Sequence, residues 1–324
     1  MAIRADELID RRRLRRKLTF WRVAALVVAA AAIIGFSMWL TGDEFGKGAD
    51  HIAKVRIEGT ITEDDELIKR FEEIRKSRAV KGVILAIDSP GGTTAGGEQI
   101  FDEVRRLAGD KPVVAQVGTL AASAGYMIAS ASDHIVARRS SIVGSIGVLV
   151  QYPDVTGLME KLGIKLEEVK SSPLKAEPSP FNPTTDEERA MIRSMILDSY
   201  DWFIGIVTER RGMTREEVTA LADGSIFTGR QALTRKLIDG LGGEREAIDW
   251  LATKGVDPNL RVVEWKPKNE GTGWPFSSAL GKALSRWLGI PDYSGDLIRE
   301  LGGERIFLDG LLSLWHPATG DWGK

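Results

Sequence analysis

The stretch GVILAI (82–87) is apolar at every position, and this limits the fold more than any other feature of the chain. A strand with one face in water alternates apolar and polar residues. A strand apolar throughout is covered on both faces, as in a parallel sheet between helical layers. KPVVAQVG (111–118) reads the same way, while HIAKVRIEGTI (51–61) alternates. Between these strands, DDELIKRFEEIRKS (64–77) spaces Leu67, Ile68, Phe71 and Ile74 at helical intervals, and EQIFDEVRRLAG (98–109) reads as a second helix. Asp88 closes the apolar run, and SPGGTTAGG (89–97) is expected to break the strand as a turn. Strands alternating with helices predict an α/β domain with a mainly parallel sheet, from residue 51 to residue 265.

Further along, HIVAR (134–138), GSIGVLVQ (144–151) and KLEEVKS (165–171) are expected as strands, and GLMEKLGI (157–164) as a helix. The segment 184–212 predicts a long helix, with Thr185 as N-cap and Glu188 at the capping-box spacing. TREEVTALAD (214–223) and TGRQALTRKLI (228–238) follow as shorter helices. From Lys266 the composition changes. KPKNEGTGWP (266–275) is a linker, and residues 266–324 form a tail in which SALGKALSRWLG (278–289) and ERIFLDGLLSLW (304–315) place Leu and Trp on amphipathic helical faces. Those faces suit burial against protein, the chain's own core or a neighbouring subunit, better than a membrane surface, because neither is strongly basic.

At the other end, RRRLRRK (11–17) precedes the eighteen-residue apolar run VAALVVAAAAIIGFSMWL (23–40). As a helix the run spans roughly 27 Å, close to the ~30 Å hydrocarbon thickness of a bilayer. A cleaved signal peptide is the alternative, although its apolar region is usually shorter, about 7–15 residues. The expectation is a basic cytoplasmic tail (1–20), a transmembrane anchor (21–40) and a polar linker (41–50). The arginines would stay inside, with the rest of the chain beyond the membrane.

Composition excludes much chemistry. No cysteine is present, so there is no disulfide, thiolate nucleophile or cysteine-held zinc. The three histidines, His51, His134 and His316, stand in no metal-ligand pattern, and no phosphate loop occurs. A net charge of −2 gives no case for nucleic-acid binding. No metal and no cofactor are expected. A hydrolase so constituted can use a serine activated by a neutral lysine. Ser123 lies in GTLAASAGYMIAS (118–130), at the predicted start of a helix, where the Ala124 N–H favours a developing oxyanion. No G-x-S-x-G motif surrounds it. His134 is expected to pack at the start of a strand. In DSPGG, Gly91 and Gly92 free the backbone to turn an N–H toward a ligand, though an ordinary strand-to-helix turn reads the same.

Five motifs in order resemble the bacterial signal peptide peptidase A family of serine proteases, in its short single-repeat form: IDSPGG, AASAGYMIASASDHIVA, GSIGV, VKSSPLK and ADGSIFTGRQALTRKLIDGLG. The resemblance covers about residues 52–254. It implies a Clp protease- and crotonase-like fold of repeated ββα units, preceded by one transmembrane helix. It also implies Ser123 as nucleophile, Lys175 as general base and Ser145 as a serine assisting the lysine. The oxyanion hole would be formed by Gly92 and Ala124, with Gly91 as the other candidate. Ala124 stands where the family pattern has glycine, and Met127 where a second aromatic is common. A free lysine titrates near ~10.4, so a lysine base needs roughly 4 kcal/mol of destabilisation of its ammonium, more than an exposed loop supplies. A subunit interface supplies it. The resemblance therefore implies a homo-oligomeric ring, an octamer being one size, in which SSPLKAEPSPFNP (171–183) reaches a neighbouring serine; Lys170 is a nearby competitor.

The implied activity is a membrane-anchored serine endopeptidase degrading remnant signal peptides and other apolar peptides on the extracytoplasmic side of the cytoplasmic membrane. Three other readings remain open: a stomatin-type membrane protease, a crotonase-like acyl-CoA enzyme and an inactive oligomeric scaffold.

Overall fold

In the computed structural model of the chain, the structure describes residues 17–31, 33 and 48–267, with the backbone of 312–314. Two compact units divide at residue 50. In the first, residues 17–31 are helical, with Phe20, Trp21, Leu26 and Val28 exposed. Among the described residues no helix is long and apolar enough to cross a membrane. The expected anchor over 21–40 is thus not seen as a span, and most of its second half lies outside the described residues.

The second unit is built on a mainly parallel sheet. Its strands are β1 (His51–Ile61), β2 (Val80–Thr93), β3 (Val113–Ala122), β4 (His134–Ala137), β5 (Ile142–Gly144), β6 (Ile226–Thr228), β7 (Gly240–Leu241), β8 (Arg261–Glu264) and β9 (Leu312–Leu314). Helices α1 (Asp65–Lys76), α2 (Thr94–Asp110) and α3 (Ala124–Ala131) connect the first strands. The remaining helices are α4 (Thr156–Leu162), α5 (Asp186–Arg211), α6 (Arg215–Thr219), α7 (Gly229–Thr234) and α8 (Glu244–Thr253). The strand order is β6-β5-β3-β2-β1-β8, with β4, β7 and β9 off this path. β5–β6 and β2–β9 are antiparallel; the other pairs are parallel.

The apolar run of β2 is explained by its two neighbours in depth. Val83, Leu85 and Ile87 face one core with Phe71, Val104 and Tyr126, whereas Ile84 faces a second with Ile52, Val114 and Leu251. Gly82 belongs on that second face because a Cβ there would stand 3.0 Å from a Leu251 methyl. Strand β3 forks: residues 114–117 pair with β4 and residues 120–122 pair with β5. The fork opens the sheet where β3 hands over to α3.

Four local expectations are corrected. SPGG is not a turn, since β2 runs through it to Thr93 and pairs Gly91 with Thr60 and Gly92 with Ile61. Gly92 is required by close approach, because a Cβ would stand 1.8 Å from the Ile61 carbonyl oxygen. The strand expected over 144–151 falls instead at Ile142–Gly144, where β3 and β6 offer partners. KLEEVKS forms no strand: it alternates, but no partner edge lies beside it, and Leu166 and Val169 are exposed. In the tail, Leu312–Leu314 is strand rather than helix, because the β2 edge at Gly91–Thr93 offers it a ladder. The rest of both expected tail helices lies outside the described residues. The long helix is present as α5, with the Thr185–Glu188 capping box formed.

Candidate active site

Ser123 is the junction between β3 and α3, and its backbone is at φ 56°, ψ −120°. Non-glycine residues rarely hold such a conformation, which costs about 1–3 kcal/mol and persists only where neighbours enforce it. The enforcement is visible. Its N–H donates to the Gly144 carbonyl at 2.9 Å, and its own carbonyl accepts from the Met127 N–H at 2.9 Å. The Tyr126 hydroxyl donates to the Leu237 carbonyl at 2.9 Å and pins the first turn of α3; full burial pushes its phenol well above the usual range. Ala124 and Met127 press on Gly97 of α2, where an added Cβ would stand 3.1 Å from both. Met127 is fully buried there and does not line the cavity in front of Ser123. The sharp strand–turn–helix geometry of a nucleophile elbow is therefore present without its glycine motif.

Helix α3 starts without a side-chain cap, so the Ala124 N–H has no partner inside the helix and points from the amino end of a helix dipole. In front of it lies a cavity of about 490 Å³ lined by Ser123, Ser145, Val148, Leu149, Ile196, Leu197, Tyr200 and Asp223, among others. Ser145 also has positive φ (52°), held by its N–H donating to the Ser225 carbonyl at 2.8 Å. The fold thus brings Ser123 and Ser145 to one cavity.

Among the described residues no histidine or lysine lines that cavity. Of its titratable groups, Asp223 is held below the usual carboxylate range by hydrogen bonds from Ser225, and Tyr200 is raised by burial. The Tyr200 hydroxyl donates to the Ala222 carbonyl at 2.6 Å. His134 stacks on Trp250 at 5.0 Å, with burial lowering its pKa, and is packing at the start of β4. His51 accepts from the Trp265 indole N–H at 3.1 Å, and His316 lies outside the described residues.

Lys175 is exposed in a turn closed by its N–H donating to the Ser172 carbonyl at 3.1 Å. It does not line the cavity. Lys170 is engaged instead, bonding Glu168 at 2.5 Å and also Glu177. Its hydrogen bonds to those carboxylates raise its pKa, so it is held charged. On the glycine strand, the Gly91 N–H (φ +106°) donates to the Ser89 hydroxyl at 3.1 Å. Among the described residues no group of three His, Cys, Asp or Glu could hold a metal.

Sequence reasoning missed Ser89, Tyr200, Asp223 and the apolar face of α5 at Ile196 and Leu197. The last carried a signal, because ILDSYDWFIGIV keeps apolar residues at helical spacing. Ser89 carried none, because its partners depend on register.

The profile described as peptidase family S49 matches residues 105–257, and that described as Clp protease matches residues 54–155. An Enterococcus faecium protein with the provisional name signal peptide peptidase SppA is 32% identical over 80% of this chain and 79% of its own. Protease 4 of Haemophilus influenzae is 32% identical over 77% of this chain, and the chloroplastic serine protease SPPA of Arabidopsis thaliana is 32% identical over 86%. This chain spans 44% and 43% of those two longer proteins. With Ser123 at an enforced elbow and relatives of this kind along most of its length, the chain belongs to peptidase family S49, the signal peptide peptidase A family.

Proposed function

We propose that the chain is a serine endopeptidase in which Ser123 attacks the peptide carbonyl and Lys175 of a neighbouring copy is the general base. One observation carries this reading: among the described residues the cavity holding Ser123 and Ser145 has no histidine or lysine, while Lys175 stands exposed, with no hydrogen bond or ion pair of its side chain to a described residue. Ser145, which lines the same cavity, would orient the incoming neutral lysine amine. The lysine amine takes the Ser123 proton, the Ser123 Oγ bonds the carbonyl carbon, and Gly92 and Ala124 N–H groups receive the oxyanion. The C–N bond then breaks as the lysine returns the proton to the leaving amine, and a lysine-activated water hydrolyses the acyl-enzyme. Gly91 is the weaker candidate because its N–H is already given to Ser89.

The apolar wall of Val148, Leu149, Ile196 and Leu197 supports apolar peptides as substrates, remnant signal peptides among them. Exposed Leu158, Leu162, Ile164 and Val169 precede the segment that would cross to a neighbour, exposed Phe181 lies within it, and together they support a homo-oligomeric ring. Residues 51–265 would form the protease unit. Anchoring through 21–40, with that unit outside the cytoplasmic membrane, rests on the basic cluster and the apolar run.

Mixing decides the shared site. Ser123→Ala and Lys175→Ala chains are each expected to be inactive on a fluorogenic apolar peptide, and co-assembly is expected to restore part of the activity. Co-assembled mixtures that stay inactive would reject a base supplied by a neighbour.

A further inference from the structure

Strands β1 and β2 lose step beside the candidate oxyanion strand. Glu58 pairs with Asp88 and Thr60 with Gly91, so Gly59 alone stands opposite both Ser89 and Pro90. Pro90 has no N–H, so the bond that a residue there would give to the Gly59 carbonyl is missing from the ladder. The Ser89 hydroxyl supplies it. Fully buried, Oγ donates to the Gly59 carbonyl oxygen at 2.6 Å and accepts the Gly91 N–H at 3.1 Å. The contact of Oγ with the Gly91 carbonyl is longer, 3.5 Å, so the single proton belongs to Gly59.

The same residue touches the other half of the candidate hole. A Cβ on Gly125, the second residue of α3, would stand 2.9 Å from the Ser89 carbonyl oxygen and 3.3 Å from its Cβ. Ser89 is therefore tied to β1, to Gly91 and to the turn that follows Ala124. On the edge away from β1, Gly92 stands opposite Ser313 of β9, so it is open to a substrate there only when β9 is displaced.

We propose that Ser89 is a positioning residue for the oxyanion hole. Its hydroxyl replaces the ladder bond that Pro90 cannot make and commits the Gly91 N–H to the sheet, so that Gly92 is the donor on that strand once β9 is displaced. Its backbone sets the distance from that strand to Ala124. This rests on the reading of Gly92 and Ala124 as oxyanion donors and names what holds them in place.

The experiment uses the full chain, an apolar fluorogenic peptide and a peptide aldehyde, whose hemiacetal with Ser123 carries the oxyanion. Ser89→Ala is expected to lower kcat about 10- to 100-fold with KM changed less than twofold, because one oxyanion donor is typically worth 10²–10³ in rate. Aldehyde affinity should fall by a similar factor. A lower melting temperature with kcat and aldehyde affinity intact would reduce Ser89 to a structural role and overturn the proposal.

The double variant Ser89→Ala/Pro90→Ala guards against misfolding, since its new N–H can bond the Gly59 carbonyl. It is expected to regain stability while aldehyde binding stays weak, because the Gly91 N–H remains uncommitted; recovered aldehyde affinity would also overturn the proposal. Ser123→Ala separates the two readings. If it keeps cleaving, the active-site assignment itself fails. If it is inactive and Ser89→Ala has wild-type kcat and aldehyde affinity, only the role of Ser89 fails.

Discussion

Gly92 has no room for a side chain: the atom a Cβ would meet at 1.8 Å is a backbone oxygen of β1, which cannot rotate away. Gly92→Ala is expected to destabilise by about 1–3 kcal/mol, the usual range for overpacking, and to lower kcat more than 10-fold by moving the strand. Thermal melts and steady-state kinetics read the two effects separately. His134 gives a pH signature away from the site. Burial lowers its pKa and Arg211 and Lys254 push the same way, while Asp239 opposes them. Its neutral form therefore stabilises the fold fully above ~6.5, the ordinary histidine value, and that contribution is lost as pH falls through the lowered folded value. His134→Phe, which keeps a ring against Trp250, is expected to flatten the melting temperature between pH 7 and pH 5. At this scale Ser123 was legible because small residues and a helix start lie next to it in sequence. Ser89 was not: its partner Gly59 is thirty residues away, and only the register brings them together.

Among elements, helices were read more closely than strands, because caps and spacing are local whereas a strand needs an edge to join. Thr185 and Glu188 close the start of α5 reciprocally, the Thr185 hydroxyl accepting the Glu188 N–H at 3.3 Å. Thr185→Ala is expected to cost ~1 kcal/mol, measured by denaturant unfolding. KLEEVKS alternates well enough for a strand and finds no edge, while Leu312–Leu314 becomes one because β2 offers Gly91–Thr93. That pairing occupies the edge of the candidate oxyanion strand itself, at Gly91 and Gly92. Ending the chain at Lys266 is expected to raise the cleavage rate of a short peptide at low concentration. An unchanged KM in the truncated chain would show that β9 does not compete for this edge.

For the whole molecule, the α/β class and the parallel sheet followed from two apolar strands, and a base supplied by a neighbour was implied by the resemblance; which side chains line the cavity shows only once the fold has gathered them. If that base arrives from a neighbour, specific activity must fall on dilution in step with dissociation, as sedimentation would follow. Val169→Glu, at a fully exposed position, is expected to weaken assembly and activity together while leaving the monomer's melting temperature unchanged. The seam between α2 and α3 has a further use. Met127 is sealed within it against Gly97, and no cysteine in the chain competes for oxidant. Peroxide reaches that sulfur only when the seam parts, so the rate at which mass spectrometry finds Met127 sulfoxide is a clock for opening beneath Ser123.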